Sequence, residues 1–109
     1  MKLDIEVKFE SMAKDASIEA SAHRWMALLE AAGIAIRGAF LTLEPGPRSV
    51  MVCLKLELVD GATLTVITWR NDVQAAVADA FQVARRQELE RTASGGRSKH
   101  AMELGGAIA

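Results

Sequence analysis

An Asp-Gly pair between two apolar runs is the feature that most constrains how this sequence can fold. Asp60-Gly61 separates residues 50–59 from residues 62–70, and both runs are rich in β-branched and aliphatic side chains. Two-residue Asp-Gly loops match the right-handed twist of paired strands and are the strongest short-range signal for a hairpin. The sequence therefore predicts an antiparallel hairpin, closed by a two-residue loop, in the second half of the chain.

Two further strands are predicted upstream of this hairpin. Residues 34–43 are largely apolar and end at Pro45-Gly46-Pro47, where neither proline can continue a hydrogen-bonded ladder. Residues 2–10 alternate between charged and apolar side chains, with the apolar positions at Leu3, Ile5, Val7 and Phe9. A period of two is typical of a strand with one buried face and one exposed face.

Two amphipathic helices complete the predicted elements. Asp15 is a suitable N-cap for the first helix, and Gly33 is a suitable C-terminal stop. Between them, one apolar stripe recurs at spacings of three and four, through Ile18, Ala22, Trp25, Leu29 and Ala32. Asn71 or Asp72 can cap the second helix, whose inward stripe comprises Val73, Ala76, Val77, Ala80 and Ala84. Leu28 lies off the first stripe and is expected, with Met26, to mark an exposed apolar patch.

The order of these elements predicts an α+β domain of type β-α-β-β-β-α. Each helix has one apolar stripe to bury, so both helices are expected on one face of a mixed four-stranded sheet, with the first strand at an edge. The 109 residues leave room for one domain, which we assign to residues 1–92. Residues 93–109 contain glycine and serine and are predicted to form a flexible tail.

The composition narrows the functional class. The formal net charge is −1, which argues against non-specific coating of nucleic acid. The single cysteine, Cys53, lies in an apolar run and is expected to be a buried small hydrophobe in a reducing compartment. The sequence shows neither a signal-peptide pattern nor a run long enough for a membrane helix, so we expect a cytoplasmic protein without membrane contact.

No pattern in the sequence predicts catalysis. The glycines are scattered, so neither a P-loop nor a dinucleotide-binding loop can be assembled from them. His23 and His100 have no Cys or acidic neighbours at ligand spacing, and neither lies in a recognisable nucleophile–base arrangement. We therefore expect no enzyme activity, no metal, no cofactor and no small-molecule substrate.

The positive charge of the chain collects at its C-terminal end. Residues 85–109 carry 5 basic and 3 acidic side chains, whereas residues 1–84 carry 8 basic and 11 acidic ones. The basic strip consists of Arg85, Arg86, Arg91, Arg97, Lys99 and His100. Such a strip can contact phosphates, but arginines near a helix C-terminus can equally well complement the helix dipole. These two interpretations are about equally supported by the residues themselves.

The segment that opens and runs through the second helix, residues 71–87, resembles a family signature. It is similar to the last helix of the ribosome hibernation-promoting factors, also called protein Y or the sigma-54 modulation family. Asp72, Arg86 and Gln87 occupy positions of that pattern, as do Ala76 and Val77. The resemblance extends over residues 1 to about 92, because the order of the elements and the entry to the first helix also agree.

The resemblance implies a fold like that of double-stranded-RNA-binding domains, and a protein that occupies the small ribosomal subunit and silences translation under stress. It implies no cofactor. Basic residues on both helices would face ribosomal RNA, and in this sequence the candidates are Arg85, Arg86, Arg91, Arg24, Lys14 and His23. Longer members of the family add a separate dimerisation domain.

The first helix departs from the family pattern. Family members carry lysine or arginine about where this chain has Trp25, Leu28 and Ala31, and the Leu after the Arg-Gln pair is Glu88 here. An alternative is therefore a protein-interaction or self-associating module that kept the fold without binding the ribosome. The surface between the two helices should discriminate, since a continuous positive groove favours ribosomal RNA and an apolar or neutral groove favours a protein partner.

Overall fold

A computed structural model describes residues 5–93 of the chain and confirms the predicted order of elements. Four strands and two helices are present in this range: β1 Glu6–Phe9, α1 Ala16–Ala31, β2 Ile36–Pro45, β3 Val50–Leu58, β4 Thr63–Arg70 and α2 Val73–Ala93. The predicted tail, residues 93–109, lies outside the described residues apart from Ala93. Residues 2–4 of the first predicted strand also lie outside them.

The four strands form one mixed sheet in the order β1-β2-β3-β4. β1 pairs in parallel with β2, and α1 makes the connection between them, whereas the β2–β3 and β3–β4 pairs are antiparallel. β1 and β4 are therefore the two edge strands. The predicted α+β class, with the first strand at an edge of a mixed sheet, is confirmed.

The β3–β4 hairpin differs from its prediction in loop length. Leu58 and Ala62 close the ladder, because the amide of Leu58 donates to the carbonyl of Ala62 at 2.8 Å. The loop is thus the three residues Val59, Asp60 and Gly61, and the predicted two-residue loop is wrong. A two-residue Asp-Gly turn needs a positive φ at both positions, but only Gly61 has one, at 95°.

Both predicted helix caps are confirmed. The Asp15 carboxylate accepts a hydrogen bond from the amide of Ser17 at 2.9 Å, and the Asp72 carboxylate accepts one from the amide of Ala75 at 3.0 Å. Gly33 follows the end of α1 with a φ of 85°, a left-handed conformation that favours glycine.

The core lies between the sheet and the two helices. Alternate residues of β2, β3 and β4 point into it and are fully buried, among them Leu41, Leu43, Val52, Leu54, Leu56 and Leu64. α2 contributes Phe81 and four small or branched apolar residues: Ala76, Val77, Ala80 and Ala84. The helices cover one face of the sheet, as predicted, and leave the other face open.

Two expectations about single residues are wrong. Met26 is buried, at 2% exposure, because it lies with Ser21 and Ala22 on the face of α1 that points into the core. Trp25 lies at the margin of that face and is half-buried. Cys53 is only half-buried, because Val52 and Leu54 take the inward positions of β3 and the thiol falls on the open face. Leu28 is exposed, as predicted.

No helix within residues 5–93 is both long enough and apolar enough to cross a membrane.

Candidate nucleic-acid interface

Arg85 and Arg86 lie on the exposed surface of α2. Their neighbours Ala84 and Glu88 are buried, so the helix turns the two guanidinium groups away from the sheet. Within residues 5–93 neither arginine takes part in an ion pair or a side-chain hydrogen bond. Both guanidinium groups can therefore donate to phosphate oxygens without breaking an existing contact within that range.

α1 and α2 run in the same direction and touch along one side. The hydroxyl of Ser21 donates to the side-chain oxygen of Gln74 at 2.7 Å, near the start of α2. One α1 turn further on, the ring of Trp25 stacks on that of Phe81, with centroids 6.0 Å apart and planes inclined by 9°. These two contacts fix which face of α2 each α1 residue meets.

An open hollow lies between the C-terminal half of α1 and α2. Trp25 and Arg85 both line it, and its other lining residues are Leu28, Ala31, Ala32 and Gln82. The indole is half-buried and the side chain of Leu28 is 55% exposed. One surface thus carries the guanidinium of Arg85 and the amide of Gln82 together with the apolar side chains of Trp25 and Leu28.

Arg91 occupies a different environment from the other two arginines of α2. It is only 7% exposed, and its guanidinium donates to Glu88 Oε1 at 2.7 Å and to Asp60 Oδ2 at 2.6 Å. These two carboxylates raise the pKa of Arg91 above its usual value. A buried guanidinium that already serves two carboxylates gains little from a phosphate, so we leave Arg91 out of the proposed interface and assign it a structural role.

The remaining basic candidates are not gathered around Arg85. Lys14 precedes the N-cap of α1, and Arg24 is held near the start of α2, where its Nη2 donates to the hydroxyl of Ser21 at 3.1 Å. Gln74 and Arg85 are 11 residues apart on α2, which corresponds to about 16 Å along the helix axis. His23 is exposed on α1. The predicted basic groups are spread along the helix pair rather than brought together.

The surface between the helices is therefore not a continuous positive groove over the described residues. Towards the start of the pair it carries Arg24, towards the end Arg85, and between them the half-buried Trp25. The sequence did not predict that Trp25 and Arg85 line one hollow. The i, i+3 spacing of Glu88 and Arg91 hinted at an ion pair, but Asp60, 31 residues from Arg91, could be added only from the structure.

Among residues 5–93, no three His, Cys, Asp or Glu side chains converge in a way that could hold a metal ion. The thiol of Cys53 lies on the open face of the sheet, opposite the face that carries the helices and His23.

Comparisons with known proteins identify the architecture. A ribosomal subunit interface protein from Coxiella burnetii superposes with a TM-score of 0.72 at 12% identity, over 84% of this chain and 99% of its own. The N-terminal domain of protein Y from Thermus thermophilus superposes with a TM-score of 0.69 at 16% identity, over 80% of this chain and 94% of its own. The chain shares the fold of these two proteins.

The likeness is one of structure and not of sequence. No protein-family model matches the chain, and no curated protein matches it either. At such low identities the superpositions establish the fold alone, and the function has to be argued from the residues of the site.

Proposed function

We propose that this chain is a ribosome-associated factor that binds ribosomal RNA of the small subunit through the exposed surface of α2. The observation that carries the proposal is the pair Arg85 and Arg86, two adjacent exposed guanidinium groups with no partner among residues 5–93. The shared fold supports it, because one structural neighbour is described as a ribosomal subunit interface protein. The resemblance of residues 71–87 to hibernation factors points to the same partner.

The proposed mechanism is occupancy. A protein of this size seated on the small subunit would exclude messenger or transfer RNA from the same surface and so inhibit translation under stress. No chemical step is needed, and we propose no enzyme activity and no cofactor. Because guanidinium groups form paired hydrogen bonds with phosphate, Arg85 and Arg86 would bind the RNA backbone without reading its sequence.

The binding should be weak and strongly dependent on salt. Arg85 and Arg86 provide two phosphate contacts. Arg24 can add a third through the N–H groups that do not bond to Ser21. Each contact of this kind is worth on the order of 1 kcal/mol at moderate salt. The indole of Trp25, beside Arg85, adds an apolar surface on which an unpaired base can stack.

A second candidate function, docking of a protein partner, is favoured by the apolar part of the same hollow. Trp25, Leu28 and Ala31 form an apolar strip where the family resemblance would place cations. A partly exposed tryptophan beside an arginine is also typical of protein interfaces.

Co-sedimentation with isolated ribosomal subunits tests the proposal. The wild-type chain should travel with the small subunit at low salt, and an Arg85→Glu/Arg86→Glu variant should remain in the supernatant. A wild-type chain that fails to bind, or a double variant that binds equally well, would remove ribosomal RNA as the partner of this surface.

A further inference from the structure

The two edge strands of the sheet are unequally protected against pairing with another chain. β1 is four residues long, and its open face carries Glu6 and Lys8, the latter in an ion pair with Glu10 at 3.0 Å. β4 is eight residues long, and residues 63–69 contain no charged residue, proline or glycine. Proteins usually block an edge with short strands, charges or prolines, so β1 is blocked and β4 is not.

The outer edge of β4 is also accessible. One hollow extends across it and is lined by Met51, Ile67 and Trp69 from the open face of the sheet and by Val83 and Gln87 from α2. This hollow reaches from the open face of the sheet to α2 round the outer edge of β4. No element of residues 5–93 can therefore cover that edge at this place. Ile67 and Trp69 are 54% and 59% exposed, so apolar side chains flank this free backbone.

We propose that β4 pairs in antiparallel fashion with β4 of a second copy of this chain across a twofold axis. A twofold axis sets a strand against itself, so a charged strand would bring like charges together, whereas residues 63–69 carry none. With Val66 on the axis, Thr65 of one copy faces Ile67 of the other, and Thr63 faces Trp69. Threonine beside a β-branched or aromatic residue is a favourable cross-strand pair.

The helices extend the same interface. α2 packs on β3 and β4, so joining the two β4 strands brings the two α2 helices side by side over one eight-stranded sheet. Val83 and Gln87 lie on the flank of α2 that faces the β4 edge. Arg85 is two residues from Val83, about 200° round the helix, and lines the hollow towards α1 instead. The dimer therefore leaves Arg85 exposed, and its test does not depend on RNA binding.

The expected dimer is a weak one. Two strands of eight residues, with Ile67, Trp69 and Val83 from each copy, bury on the order of 1,000 Å² of total surface. That area lies at the lower end of specific interfaces, so the equilibrium between monomer and dimer should fall in the micromolar range.

Analytical ultracentrifugation over a range of protein concentrations, from low micromolar to near millimolar, tests this inference. The wild-type chain should change from monomer to dimer. Ile67→Lys should remain monomeric, because it replaces the apolar partner of Thr65 with a charge in each copy and sets two lysines diagonally across the axis. Leu28→Lys is the matched control: it makes the same kind of substitution at a position of similar exposure on α1, and it should dimerise like wild type.

Hydrogen exchange by mass spectrometry identifies the surface involved. Protection of the β4 amides should rise with protein concentration in the wild-type chain and not in the Ile67→Lys variant. A wild-type monomer at every concentration overturns the inference, as does dimerisation that Ile67→Lys leaves unchanged. Concentration-independent protection of β4 in a monomer would overturn it too, because it would mean that another segment of the same chain covers the edge.

Discussion

The indole of Trp25 lies nearly parallel to the ring of Phe81, 6.0 Å from centroid to centroid. The first residue belongs to α1 and the second to α2, so this pair holds the two helices at a fixed separation. Phe81 is fully buried, whereas Trp25 is only half-buried and lines one hollow together with Arg85. One aromatic pair therefore contributes both to the core and to the candidate interface.

Truncation of this pair should destabilise the fold. We expect Trp25→Ala to lower the free energy of unfolding by about 2 kcal/mol, less than the 3–5 kcal/mol or so typical of a fully buried aromatic because the indole is half-buried. Trp25→Phe should cost about 1 kcal/mol or less, since a smaller ring can still stack. Urea denaturation measures both. Trp69→Ala is the control, at 59% exposure on the open face, and a loss as large as that of Trp25→Ala would contradict the account.

The ion-pair cluster of Arg91, Glu88 and Asp60 should stabilise the end of α2. Arg91→Met removes the only cation among these three residues and leaves Glu88, 5% exposed, without its partner. We expect a loss of about 2 kcal/mol, below the value for a fully enclosed pair because Asp60 is half exposed. Arg70→Met is the matched control, since its ion pair with Asp79 is partly exposed at 3.3 Å and should contribute under about 1 kcal/mol. Equal losses in the two variants would contradict a structural role for Arg91.

The N-cap of α1 should give stability that depends on pH. Hydrogen bonds from the hydroxyl and the backbone amide of Ser17 lower the pKa of Asp15 below its ordinary value of 3.8. Because the pKa of Asp15 is lower in the folded state, its carboxylate stabilises the fold above pH 3.8. This contribution disappears as the pH falls through the lowered pKa. The urea midpoint of wild type should exceed that of Asp15→Asn at neutral pH, and the difference should shrink in acid. A difference that stays constant with pH would rule out this origin.

A cation placed in the hollow between the helices should discriminate between the two candidate partners. Leu28→Lys adds a positive charge beside Arg85 and should strengthen binding to the small subunit by about fivefold, or roughly 1 kcal/mol, if the surface contacts phosphate. The same substitution should weaken an apolar protein interface. Val59→Lys, at 62% exposure in the β3–β4 loop, adds the same charge elsewhere and should change subunit affinity by less than twofold. Weaker binding by Leu28→Lys would favour the protein partner.

Most of the fold could be predicted because local signals and burial agree. The Asp15 and Asp72 caps, the glycine at Gly33 and the alternation along the strands each have a cause within a few residues. The errors arise where residue types alone decide neither the backbone angle nor the packing. The length of the hairpin loop depended on the φ of Asp60, and the burial of Met26 depended on how far α1 rotates over the sheet.

The candidate site was less predictable than the fold. Arg85, Arg86 and Arg91 look alike in sequence, yet the partner that separates Arg91 from the others is Asp60, which the hairpin brings from a distant part of the chain. Trp25 and Arg85 likewise line one hollow only because α1 and α2 run side by side. The sequence locates the positive charge, but it does not show which arginines are exposed and which are already paired with carboxylates.

The most direct test of the central claim is the salt dependence of binding to purified small ribosomal subunits. We would compare wild type, Arg85→Gln/Arg86→Gln and Arg48→Gln/Lys55→Gln. The control pair loses the same charge from the β2–β3 turn and the open face of the sheet. If Arg85 and Arg86 contact phosphates, their removal should make the slope of log affinity against log salt shallower by roughly two, and the control should keep the wild-type slope. An equal slope in all three proteins, or no binding by wild type, would contradict the claim.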